Sequence, residues 1–235
     1  MDVKIFKHST DTSDNSFEYS YFIYYPKYLN KLECEKVKLE LDNIKDFKYN
    51  LNATNTDYAR LQKWYQKDGK YFCSKWMEKL PWWESCQYEK ILTNIEKKLQ
   101  YDIENTTELG YLLNKHNITI PTINSCLINK YRDGSDHIAP HCDTYHSFGK
   151  DPTICGISIG DSRIFRVKSV VNNYKKEGGL SKKDKSHQDW NFDYLLEEGS
   201  LFIMAGCSQK YFSHEIIKSS SNKCRYSLTF REYIA

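Results

Sequence analysis

The rhythm of apolar and polar positions changes part-way along the chain. Residues 17–25, FEYSYFIYY, are almost unbroken apolar and aromatic until Pro26, which predicts a strand ended by the proline. From 31 to 44, Cys34, Val37, Leu41 and Ile44 recur at helical spacing, and Asn30 stands where an N-cap is needed. Tyr88, Ile91, Leu92, Ile95 and Leu99 repeat that spacing and predict a second helix over about 86–100, with Ser85 before it. After about residue 118 short apolar runs alternate with turns: TINSCLINKY, TICGISIG, RIFRVKSVV, SLFIMAG and RYSLTF. Runs of this length, rich in Ile, Val, Phe and Thr, predict strands. Helices first and strands later predict an α+β fold with an antiparallel sandwich or jelly roll in the second half. Residues 172–188, NNYKKEGGLSKKDKSHQ, predict a long exposed hairpin loop.

Composition narrows the class without choosing a function. The chain has 235 residues, 40% hydrophobic and 28% charged, which suits a folded, soluble core. A net charge of +3 is too mild to argue for a nucleic-acid partner, so any basic surface must come from local clustering. The first residues contain no apolar signal core, and no run of about 18 apolar residues occurs, so an intracellular protein away from membranes is expected. The eight cysteines include no CxxC pair; a structural zinc cluster is not expected, and the thiols are read as buried or unpaired in a reducing compartment.

Candidate chemistry concentrates in APHCDTYHSF, residues 139–148. On an extended segment, positions i and i+2 face one side, so His141 and Asp143 offer two converging ligands. His214, in QKYFSHEI after the run SLFIMAG, is the candidate third. Two histidines and a carboxylate on one face are the ligand set of non-haem Fe(II) oxygenases. The HxD pair alone is read as a polar turn or a hydrolase zinc site before an iron site. The C-terminal strand changes the balance. In CRYSLTFREY, Arg225, Ser227, Thr229 and Arg231 share one face, while Tyr226, Leu228 and Phe230 share the other. The two arginine Cα atoms lie about 20 Å apart at roughly 3.3 Å per residue. Their inward reach leaves a gap suited to a short dicarboxylate, which arginine binds bidentately. Asn129 and Tyr131, in LINKY, share a face and offer neutral donors. The histidines at 8, 116, 137, 146 and 187 have no such partners, although His146 lies close to the candidate site.

Taken together, NKYRDGSDHIAPHCD, ISIGDSRIFR, GSLFIMAGCSQKYFSH and RYSLTFR resemble, in order and spacing, the AlkB family of Fe(II)- and 2-oxoglutarate-dependent dioxygenases. The resemblance covers about residues 120–235, with a weaker extension through ARLQKW, GKYF and PWW. It implies a double-stranded β-helix core over 116–235, preceded by an N-terminal extension and nucleotide-recognition lid over 1–115, as one folding unit. It implies iron at His141, Asp143 and His214, and 2-oxoglutarate at Asn129, Tyr131, Arg225 and Arg231. It also implies O2 as co-reactant, alkylated nucleobases in DNA or RNA as substrate, and a monomer. The N-alkyl carbon would be hydroxylated and lost as aldehyde, with succinate and CO2 as by-products.

A base must leave its stack to reach a buried iron. Residues 58–83 hold four of the five tryptophans with interleaved lysines, the composition of a nucleic-acid face. Trp64 and Tyr71 are the expected pocket walls, and Tyr145 an expected substrate contact. Well-known repair members carry an acidic residue after the metal aspartate; here Thr144 stands there. That departure leaves open both the usual preference for 1-methyladenine and 3-methylcytosine and the choice between DNA and RNA. The alternative is a 2-oxoglutarate-dependent hydroxylase of a protein or small molecule. A non-catalytic binding module on this fold is disfavoured, because every expected metal and cosubstrate position is intact.

Overall fold

The computed structural model describes residues 4–11, 17–51, 58–67, 84–105, 107–170 and 191–234. In chain order its elements are β1 (Lys4–Asp11), β2 (Phe17–Tyr25), α1 (Lys31–Asn43), β3 (Lys48–Leu51), β4 (Tyr58–Gln66), α2 (Lys90–Glu104), α3 (Glu108–Lys115), β5 (Ser125–Tyr131), β6 (Ile138–His141), α4 (Tyr145–Phe148), β7 (Ile154–Gly160), β8 (Arg163–Ser169), β9 (Asn191–Leu196), β10 (Leu201–Gly206), α5 (Ser208–Tyr211), β11 (Phe212–Ile216) and β12 (Arg225–Arg231). An eight-stranded sheet runs β1-β2-β10-β7-β12-β5-β4-β3, and a four-stranded sheet runs β6-β11-β8-β9.

Strand alternation decides what fills each layer. On β12, Tyr226, Leu228 and Phe230 join a core with Leu41 of α1 and Leu92, Ile95 and Leu99 of α2. Phe22, Tyr24, Phe202 and Met204 point the other way and meet Phe165, Val167, Phe212 and Ile216 of the smaller sheet. The larger sheet is thus covered on both faces, which is why β10 reads LFIMAG without polar alternation. Burying each such Leu or Ile contributes about 1.5–3 kcal/mol. Helices outside and facing antiparallel sheets inside make the α+β double-stranded β-helix.

The first helix begins where its sequence predicts. Asn30 Oδ1 accepts from the Glu33 backbone N–H at 3.0 Å, and Glu33 Oε2 accepts from the Asn30 N–H at 2.7 Å, a complete capping box. The second starts at Lys90 rather than near 86. Residues 84–86 are drawn onto β4 instead: Cys86 N–H donates to Trp64 O at 2.8 Å, and Cys86 O accepts from Gln66 N–H at 3.2 Å. At the β7–β8 turn Gly160 has φ +87°, and a Cβ there would sit 2.5 Å from Cys224 O. That close approach sets the start of β12, and with it Arg225, against the turn. The exposed loop expected over 172–188, and Tyr71, lie outside the described residues. Among the described residues no helix is long and apolar enough to cross a membrane.

Candidate metal and cosubstrate site

β6 and β11 pair with His141 directly opposite His214. A cross-strand pair on one face is close, and the two ring centroids are 4.2 Å apart. Asp143 follows β6 and turns one oxygen toward both rings: Oδ1 is 3.9 Å from Nε2 of His141 and 3.9 Å from Nε2 of His214. One donor atom from each of the three residues lies within 4.8 Å of the others. The three residues expected as metal ligands are therefore brought together.

Neighbouring groups fix how these ligands point. Arg231 Nε donates to Asp143 Oδ2 at 2.6 Å, and the Asp143 backbone N–H donates to Gln209 Oε1 at 2.8 Å. Oδ2 is engaged by the guanidinium, which leaves Oδ1 facing the imidazoles. His141 Nδ1 lies 3.0 Å from Ala139 O, a contact that places the ring proton on Nδ1 and the lone pair on Nε2. Phe165 stacks near the His214 ring, 5.4 Å between centroids. Burial pushes both histidines below their ordinary range, His214 to about 3, so both are neutral, as a metal requires. Burial alone would raise the Asp143 carboxyl, but the Arg231 guanidinium, through its charge and its hydrogen bond, outweighs burial and holds the group low, as a carboxylate. Two neutral nitrogens and one anionic oxygen suit Fe(II) with open positions opposite.

The residues expected to hold the cosubstrate include Arg225 and Arg231 of β12. Arg225 is 1% exposed. Its Nη2 donates to Ser158 Oγ at 3.0 Å, but Nε and Nη1 are buried with no hydrogen-bond partner among the described residues. The Tyr131 ring lies 5.1 Å from this guanidinium and 5.7 Å from that of Arg163. Arg163 donates to the carbonyls of Asp133 and Asp136, which anchors the turn ahead of β6, although its Nε has no hydrogen-bond partner among the described residues. Buried, unmatched guanidinium donors cost about 1–3 kcal/mol or more, and an anionic oxygen acceptor such as a carboxylate is the group that offsets that cost best. The spacing of β12 predicts both arginines on the dicarboxylate. In the structure Arg231 donates through Nε to Asp143 Oδ2 and through Nη1 to Thr229 O, while Arg225 carries two buried donors without a partner among the described residues.

The expected substrate residues fall in different places. Tyr145, on α4, is 43% exposed, with its ring 3.9 Å from that of His146. Trp64 is buried in a cluster with Leu127, Phe148 and Tyr233. The Phe148 ring lies 4.9 Å from the Arg231 guanidinium, so this cluster backs the arginine that holds Asp143. Ser158 and Gln209 received no role from the sequence. Ser158 sits on the inward phase of ISIG, but its part depends on the register that sets it opposite Ser227, beside Arg225. Gln209 lies in a four-residue helix that carries no periodic signal.

The family described as the 2OG-Fe(II) oxygenase superfamily matches residues 26–231. The chain belongs to the 2OG-Fe(II) oxygenase superfamily. Its cofactors are those of the superfamily: Fe(II), 2-oxoglutarate and O2, and the His141–Asp143–His214 set fits the metal. Among relatives, "DNA oxidative demethylase ALKBH2" of Arabidopsis thaliana is 32% identical over 116 residues, covering 46% of this chain and 37% of its own length. "Alpha-ketoglutarate-dependent dioxygenase alkB homolog 3" of Mus musculus is 32% identical over 120 residues, covering 48% of this chain and 37% of its own length. The aligned part is thus less than half of these relatives. The solved structure titled "The structure of OsALKBH1" superposes with TM-score 0.53 at 14% identity, covering 90% of this oxygenase and 97% of that chain. The non-heme α-ketoglutarate-dependent epimerase SnoN superposes with TM-score 0.58 at 10% identity, covering 90% and 78%. At such identities these two likenesses bear on the fold alone. The AlkB resemblance read from the sequence is borne out by the relatives.

Proposed function

We propose that this oxygenase removes alkyl groups oxidatively from nucleobases in DNA or RNA. The observation that carries the reading is the His141–Asp143–His214 cluster, together with a buried Arg225 on β12 whose Nε and Nη1 have no hydrogen-bond partner among the described residues. Nucleobases are favoured as substrate because relatives that match a little under half of this chain are named for DNA demethylation and for alkB homology. When bound, Fe(II) and 2-oxoglutarate supply with O2 the oxidising power that hydroxylates an N-alkyl carbon, which then leaves as aldehyde.

The chain's own residues do the rest. His141, Asp143 and His214 hold the metal. Arg225, steadied by Ser158, takes a carboxylate of the cosubstrate. Asn129 and Tyr131 add neutral donors. Arg231 keeps Asp143 ionised and aimed. Packed Phe165, Phe212 and Ile216 line the interior between the sheets and keep water from the reacting centre. The exposed Tyr145 ring, two residues beyond Asp143, offers a face on which a flipped base can stack. The enzyme acts as a monomer on its nucleic-acid substrate.

The test is mass spectrometry of methylated oligonucleotides, single- and double-stranded DNA and RNA, after incubation with Fe(II) and 2-oxoglutarate. Loss of a methyl group in at least one substrate supports the proposal. Steady succinate formation with every oligonucleotide unchanged would point to hydroxylation of a protein or small molecule instead.

A further inference from the structure

β4 lies next to β5 with Gln62 opposite Asn129. Its buried face is polar where a packed strand would ordinarily be apolar: Gln62 is 3% exposed and Arg60 is 8% exposed. Both aim a donor at one atom. Gln62 Nε2 is 2.7 Å, and Arg60 Nε 2.8 Å, from Asn129 Oδ1. The two ends of a side-chain amide have the same shape, so its orientation is read from its partners. Two donors converging on one atom make that atom the oxygen, since the reverse orientation sets N–H against N–H. Asn129 Nδ2 is therefore turned away from β4, and neither of its donors meets a hydrogen-bond partner among the described residues. Across the sheet from Asn129 stands Ser227, two residues from Arg225. Arg60 reaches further, donating through Nη1 to His137 O at 3.4 Å, while Ala59 O accepts from His137 N–H at 2.8 Å. One strand thus holds both the amide and the lead-in to His141.

We propose that Gln62, assisted by Arg60, is a positioning residue: it locks the Asn129 amide so that the NH2 end faces 2-oxoglutarate. This rests on the proposed placement of Asn129 at the cosubstrate. An amide without these two donors turns over easily and presents Oδ1, an acceptor, to an anionic ligand. Gln62→Glu keeps the shape but replaces the donor with an acceptor, so Asn129 turns its NH2 toward Glu and away from the ligand. Gln62→Met removes the donor without adding charge.

The experiment is calorimetric titration of 2-oxoglutarate into the full chain loaded with Mn(II) in place of iron, with thermal melting as a control on folding. Gln62→Glu weakens 2-oxoglutarate binding by about ten-fold, and Gln62→Met by less, while Mn(II) affinity stays at the wild-type value. In an Asn129→Ala background neither change has a further effect, because Gln62 acts only through that amide. Should Gln62→Glu fold poorly, Gln62→Met carries the same comparison. Wild-type cosubstrate affinity in the Gln62 variants overturns the inference, as does an equal loss in the Asn129→Ala background. Unchanged affinity in Asn129→Ala itself also overturns it. If Arg225→Met still weakens binding in that case, the cosubstrate site of the proposed function stands without Asn129.

Discussion

Asp143 is the residue on which the site depends, because it joins the metal side to β12. One oxygen faces His141 and His214, and the other is held by Arg231 at 2.6 Å. His141→Ala, Asp143→Ala and His214→Ala each remove one of three protein ligands, and each is expected to abolish turnover while the far-ultraviolet circular dichroism stays unchanged. Wild-type turnover in any of them, in metal-controlled buffer, removes that residue from the ligand set. Arg225→Met keeps bulk but loses charge-assisted hydrogen bonds worth about 1.5–3 kcal/mol. The 2-oxoglutarate concentration needed for half-maximal rate should then rise about ten-fold or more. A normal cosubstrate requirement combined with weakened oligonucleotide binding would instead place Arg225 in the substrate groove.

Elements built from local signals were legible, and those built from distant pairing were not. α1 was readable because its cap, Asn30 with Glu33, and its stripe of Cys34, Val37 and Leu41 are encoded within one short stretch. Asn30→Ala should destabilise the protein by about 1 kcal/mol in denaturant unfolding. The 2-oxoglutarate affinity should not change, because α1 packs on the face of the large sheet away from the site. A loss of affinity in that variant would show that the two faces are coupled. The start of α2 was misread because nothing local announces that Cys86 bonds to Trp64 and Gln66 across the chain. The faces of β12 followed from alternation alone. Which arginine meets Asp143, and what holds Asn129, depend on the register of β12, β5 and β4, and register is a property of pairs of strands.

For the whole molecule, the strand-rich second half disclosed the jelly roll, but not that β1 to β4 extend the same sheet. β2 pairs with β10 across nearly two hundred residues, a neighbour relation that no window of sequence contains. The three candidate metal ligands come from β6 with the residues just after it and from β11, segments that meet only in the folded chain. A divalent ion that binds them therefore stabilises the folded state by mass action. Mn(II) should raise the melting temperature of the wild-type chain, a chelator should reverse the rise, and His214→Ala should show little of it. An equal rise in His214→Ala would locate the binding elsewhere.

The most direct test of the account is to count products on a methylated oligonucleotide that the enzyme accepts. Formaldehyde, succinate and demethylated base are measured together in the presence of Fe(II), O2 and 2-oxoglutarate. Equal amounts of the three are expected from the wild-type enzyme and none from His214→Ala. Succinate released without formaldehyde, from oligonucleotides whose mass never changes, would contradict it.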